Sequence, residues 1–174
     1  MKLLRTTLAL AALLIGVPLI VATCMDSTWE VEARRTLDAP PASVHPWLDA
    51  VGRWRSWAVA DAALLEVGTG PVRGPGARLH WGPSRLGPGR LELTASDPAR
   101  GVWFDVHLGD DRHPIRGVIL LAPAAAGTEV TLICRGDVGP DPLAKLALPW
   151  AKGELERGLA SVLERLGRRV EAAD

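Results

Sequence analysis

Apolar positions recur along this chain with three successive patterns, and each marks a different kind of element. From Thr6 to Met25 there is no charged residue, and Lys2 and Arg5 stand before the run. It is apolar on every side, unlike the one-sided stripe of a helix resting on a soluble core. As a helix rising about 1.5 Å per residue, the run reaches roughly the 30 Å of a bilayer's hydrocarbon core. Three readings stay open. One is an uncleaved signal anchor that leaves Lys2 and Arg5 in the cytoplasm. The second is a cleaved signal peptide ending near the small residues Val21-Ala22-Thr23. The third is a lipoprotein signal ending Val21-Ala22-Thr23-Cys24, with Thr23 where Gly, Ala or Ser is usual. In each, residues 1–27 are a membrane anchor or signal segment, and 28–174 form one domain on the extracytoplasmic side of the cytoplasmic (inner) membrane.

A period of two begins next. Trp29, Val31, Ala33 and Leu37 alternate with Glu30, Glu32, Arg34, Thr36 and Asp38, which predicts a strand. Arg35 interrupts the apolar row and suggests a bulge or an exposed strand end. Ala39-Pro40-Pro41-Ala42 stops the strand. A short helix follows with Val44, Trp47, Leu48 and Val51 on one face, ended by Gly52. Pro46 is compatible with it if the helix starts there or is kinked. Arg53-Trp54-Arg55-Ser56-Trp57 predicts a second helical turn. Six alternating runs come after it, at about Leu64–Gly68, Ala77–Trp81, Gly89–Ala95, Gly101–Leu108, Ile115–Leu121 and Glu129–Arg135. Gly and Pro punctuate them, as in an antiparallel meander.

The last pattern has the helical period. Leu155, Leu159, Val162, Leu163, Leu166 and Val170 share one face, and Glu156, Arg157, Glu164, Arg165, Arg168 and Arg169 cover the other. Pro149 fits its first turn, or a kink after a shorter helix at 142–148. The order predicts an α+β fold: a curved antiparallel sheet wrapped around a long C-terminal helix, with two short helices between strands one and two.

Lys+Arg and Asp+Glu balance at 20 each, which argues against a nucleic-acid partner. It also leaves Trp54 and Trp57 without the basic surround of a base-stacking platform, so they are expected as core wedges. Cys24 and Cys134 fall in the apolar run and in a strand, too far apart for a disulfide.

Several strings resemble the SRPBCC (START-like, helix-grip) superfamily, and in particular its polyketide cyclase/dehydrase-like members with an N-terminal anchor. The opening matches at Leu37, Ala39, Pro40, Val44, Trp54 and Trp57. The last hairpin matches at Gly127-Thr128-Glu129-Val130 and Gly136-Asp137. The closing helix is similar at Leu155, Gly158, Leu159 and, shifted by one, Leu163. The Gly- and Pro-rich middle and Pro46 depart from the usual pattern. The resemblance implies a hydrophobic cavity between sheet and helix, and a small hydrophobic molecule or lipid as partner. Leu79, Trp81, Leu93, Phe104, Val106, Leu155 and Leu159 are the residues expected to line it.

Catalysis would need an ionisable group aimed into that cavity. His80 and His107 are the candidate bases, beside Arg78 and Asp105. Alternation turns all four to solvent if Leu79, Phe104 and Val106 face inward. His45 and His113 read as surface residues. Paired metal-ligand spacings, a phosphate loop and a dinucleotide fingerprint are absent from the sequence, so no metal or cofactor is expected. The reading is a membrane-anchored carrier or binding domain. Its rivals are a cyclase- or dehydrase-like enzyme and a protein-interaction domain without a ligand.

Overall fold

The computed structural model describes residues 14, 16–58, 65–83, 87–109 and 114–173. Most of the predicted anchor lies outside them. Residues 16–24 are helical, with Val17, Ile20 and Val21 exposed and Ala22 buried. Among the described residues, no helix is long and apolar enough to cross a membrane. His113 and Leu64 also lie outside the described residues.

Seven strands form one antiparallel sheet: β1 (Thr28–Leu37), β2 (Leu65–Val67), β3 (Arg78–Trp81), β4 (Gly89–Asp97), β5 (Gly101–Leu108), β6 (Ile115–Ala124) and β7 (Gly127–Asp137). Their spatial order is β1-β7-β6-β5-β4-β3-β2, so the first strand closes on the last and all other neighbours are consecutive. Between β1 and β2 lie α1 (Pro41–Asp49) and α2 (Val51–Trp54), and α3 (Pro142–Glu171) closes the chain. This is the predicted helix-grip arrangement.

The period-two pattern sets the faces. Trp29, Val31 and Leu37 of β1 are buried, as are Val102 and Phe104 of β5 and Ile119 and Leu121 of β6. Their charged neighbours point outward. β1 pairs with β7 from Thr28↔Asp137 to Leu37↔Thr128 without a register shift. Arg35 is therefore no bulge. It stays in the ladder on the inner face, half-buried beneath Gly167 of α3. The register shift falls in β4 instead, between Leu93 and Ala95. That extra residue turns Ser96 to the inner face and bends the sheet.

The inward Ser96 joins α1 to the sheet. Its Oγ donates to Asp49 Oδ1 at 2.6 Å and lies 3.1 Å from His45 Nε2. His45 is thus buried, not a surface residue, because the bulge brings a hydroxyl beneath it. Pro46 lies inside α1, which starts at Pro41. The hydrogen bond it withholds is the one its own N–H would donate to the carbonyl of Ala42, an exposed residue. Ala50 adopts an extended conformation and breaks the helical path before Val51, so the first helix ends short of Gly52.

Trp54 and Trp57 are core wedges, as predicted. Their ring centroids lie 4.8 Å apart, and Trp54 meets Phe104 edge-on at 5.2 Å. Trp54 Nε1 donates to Leu48 O at 2.8 Å. The turn after α2 exposes carbonyls that α3 satisfies: Arg165 Nε donates to Trp57 O at 2.7 Å and Arg165 Nη2 to Ala58 O at 3.3 Å. Arg53 sits over the Trp47 ring at 4.7 Å.

The C-terminal helix is longer than the periodicity predicted and runs unbroken through Pro149, with no separate helix at 142–148. Asp141 caps it by accepting from Leu143 N at 2.9 Å, ahead of Pro142 in the first turn. Its second half buries Leu163, Leu166, Gly167 and Val170 in the main core. Its first half touches the sheet through Leu148, which packs with Trp29 and Val31 in a smaller cluster.

Candidate functional site

The inner face of the sheet is floored by aromatic rings laid on glycines. Phe104 is opposite Gly117, Trp81 opposite Gly89, and Trp29 opposite Gly136. A Cβ on any of these glycines would come within 3.0 Å of the facing ring. The missing side chain lets each ring lie down against the strand and widens the apolar floor.

The two halves of this floor are covered differently. Leu79, Leu93 and Phe104 are sealed beneath α1, α2 and the paired Trp rings, with Leu79 only 2% exposed. Trp81, Val106 and Leu159 are half-buried at the margin of the same cluster, and Leu155, one turn before Leu159, is 37% exposed. Ile115 and Cys134 are likewise half-buried beside Trp29 and Leu148. The residues expected to line one cavity thus divide. Three lie in solid core. The other four lie at the core's margin: Trp81, Val106 and Leu159 half-buried, and Leu155 exposed on α3. Trp29, Ile115 and Cys134 gather with Val31 and Leu148 in the neighbouring small cluster, although composition and alternation alone did not single them out as site residues. The pairing of a mid-strand Gly with an aromatic marks Trp29, and it is visible only once the register is known.

The sheet carries no charge at this margin: the inward positions of β5 and β6 there are Val106, Ile115 and Gly117. Burial pushes the Cys134 thiol up to about 11, so it stays protonated and apolar at neutral pH. Both cysteines are free. Among the described residues, no cluster of His, Cys, Asp and Glu is arranged to hold a metal ion.

His80, Arg78, His107 and Asp105 all stand on the outer face. Arg78 opposes Glu92, His80 opposes Arg90, and His107 and Asp105 oppose Arg90 and Glu92 from β5. Arg78 grips Glu92 with two hydrogen bonds of 2.9 and 3.1 Å. That contact holds the Glu92 carboxyl below the ordinary carboxylate range against its desolvation, and the Arg78 charge adds to the lowering. Neither histidine reaches a molecule on the inner face.

At the end of the sheet where β1 begins, a depression of about 690 Å³ is lined by Thr28, Trp29, Glu30, Pro114, Arg116, Arg135, Gly136, Asp137 and Lys152. Arg135 pairs there with Glu30 across the strands. Trp103 lies on the outer face with Arg100 over its ring at 5.5 Å, and Trp150 is 78% exposed on α3.

The chain was compared with known proteins. A family described as "Polyketide cyclase / dehydrase and lipid transport" matches residues 28–171. No curated protein matches. Among solved structures, a Thermus thermophilus protein superposes with a TM-score of 0.63 at 21% identity, over 84% of this chain and 99% of that one. A Mesorhizobium loti protein gives 0.61 at 16% identity, over 84% and 99%. DynU16, encoded in the dynemicin biosynthetic locus, gives 0.59 at 17% identity, over 83% of this chain and 48% of that one. At these identities the superpositions establish the fold.

Proposed function

The chain belongs to the polyketide cyclase/dehydrase and lipid-transport family, and from that premise we propose that it binds or carries a small hydrophobic molecule or lipid at the cytoplasmic membrane. The observation that carries this reading is the partly covered, uncharged margin of the inner face, where Trp81, Val106, Ile115 and Leu159 stay half-buried and Leu155 is exposed on α3. Apolar side chains left half-covered in a concave site gain roughly 25 cal/mol per Å² when a ligand removes them from water. A site with few polar groups selects by shape and hydrophobicity. The outward His80 and His107 weigh against a cyclase or dehydrase that uses either as its base. The N-terminal run from Thr6 to Met25 supplies the membrane attachment in this reading, and the domain lies on the extracytoplasmic side.

Native mass spectrometry of the chain extracted from its host membrane tests the binding. The expected result is a co-purified apolar molecule, lost from a Val106→Asp variant that keeps its circular dichroism. Absence of any such molecule, with no uptake of apolar fluorescent probes, overturns it. Alkaline carbonate extraction tests the attachment separately: the chain should stay in the membrane pellet.

A further inference from the structure

The first half of α3 is apolar on two opposite sides; one is buried against the sheet, and the other is largely exposed among the described residues. Leu148 faces inward and is buried against Trp29 and Val31. Leu143, Leu146, Ala147 and Trp150 follow one another at three- and four-residue spacings on the opposite side. Leu143 is 66% and Trp150 is 78% exposed. Residues 142–153 hold two cations, Lys145 and Lys152, and no acid. Lys145 and Lys152, three residues before and four after Leu148, lie on its side of the helix. A helix with an outward apolar stripe that carries a Trp, and with its cations on the other face, has the division of one lying in a membrane interface.

Its position in the fold supplies the second argument. The uncharged run ends at Met25, three residues before β1 starts at Thr28. Thr28 pairs with Asp137, and Val138 N donates to Ser27 O at 3.0 Å. The exit of that run is therefore hydrogen-bonded to the residue after β7, four residues before α3 starts at Pro142. The depression at that same end presents Arg116, Arg135 and Lys152 beside Glu30 and Asp137, with Arg135 paired to Glu30, which leaves one cation in excess. A bilayer holding the run would meet this stripe and these cations first.

We propose that residues 142–153 of α3 lie in the headgroup layer of an anionic bilayer, so that an apolar ligand reaches the half-covered inner face behind them from the membrane and not from water. The proposal rests on the N-terminal attachment read above. Trp150 and Leu143 sit at acyl-chain depth in it, and the cations meet lipid phosphates.

Site-directed spin labels test this on the 174-residue chain in vesicles of phosphatidylcholine and phosphatidylglycerol. With Cys24 and Cys134 replaced by Ser, single labels are placed by Leu143→Cys, Trp150→Cys, Ile20→Cys and Ala126→Cys. Ala126 is exposed in the turn between β6 and β7, at the other end of those strands. Labels at 143, 150 and 20 should favour molecular oxygen over a water-soluble nickel relaxant, and the label at 126 should show the reverse. A Leu143→Glu/Trp150→Glu variant should keep its melting temperature and lose ligand loading from vesicles severalfold. A water-accessible label at 150 beside a lipid-embedded label at 20 overturns the proposal and leaves the attachment standing. Water-accessible labels at both positions overturn both readings. Dipolar broadening between labels at 150 would show a second copy covering the stripe, which also overturns it.

Discussion

Removing the Trp57 side chain is the sharpest test of how the short helices hold this sheet. Trp57 is 1% exposed, and its ring lies 4.8 Å from that of Trp54, which in turn abuts Phe104. A buried Trp withdraws about 200 Å² from water, worth roughly 5 kcal/mol at 25 cal/mol per Å². The ring pair adds about 0.5–1.5 kcal/mol. Against this, Ala retains part of the contact and the unfolded chain already hides part of the area. Among the described residues Trp57 Nε1 has no hydrogen-bond partner, so no known bond is lost with it. Trp57→Ala should therefore cost about 3–5 kcal/mol. That is a large share of the roughly 5–15 kcal/mol that holds a domain together. Trp57→Phe keeps most of the volume and should cost about 1–2 kcal/mol, which supplies a folded comparison if the Ala variant unfolds. Urea unfolding followed by circular dichroism reads both, as a shift of the midpoint at constant slope. A loss below about 1 kcal/mol for Trp57→Ala would refute the wedge and reopen an exposed aromatic platform.

Gly117→Ala drives a methyl into the Phe104 ring and should cost about 1–3 kcal/mol by overpacking. Adding Phe104→Leu should restore part of that, and strict additivity in urea melts would exclude the contact. Arg165 spans two carbonyls of the Trp turn, so Arg165→Met should cost roughly 1.5–3 kcal/mol. Arg165→Lys should rescue it poorly, because one ammonium does not reproduce the two-armed fork; full rescue would rule that geometry out. The lowered carboxyl of Glu92 contributes stability that is present above the unfolded carboxylate range and lost as pH falls through its folded value. Arg78→Gln should flatten the acid limb of the stability curve by less than about 1 kcal/mol, since the pair is partly exposed. An unchanged limb would show the pair to be inert. Cys134, with its thiol pushed up to about 11, should react slowly with a thiolate-selective reagent at pH 8 until urea unfolds the domain; fast labelling of the folded protein would contradict its burial.

Alternation alone determined much of this molecule. Side chains on a strand point to opposite faces in turn, so the inward course of Trp29, Val31 and Leu37 and the outward course of His80 and His107 follow from the sequence whatever the neighbours are. The 3.6-residue period likewise assigned Leu163, Leu166 and Val170 to the core. Periodicity gives a direction, however, and not what lies opposite. Register decided that Phe104, Trp81 and Trp29 each lie on a glycine of the next strand, because only hydrogen-bonded pairing brings residues far apart in sequence face to face. The bulge after Leu93 turned Ser96 inward and buried His45, an outcome no local pattern encodes. Whether an inward apolar residue becomes core or margin depended on which helix covers it. Leu79 and Leu93 lie in the core under α1 and α2, while Trp81 and Val106 are only half-covered and Leu155 is exposed on α3. Burial is a property of two surfaces, and a sequence read one residue at a time states only one of them.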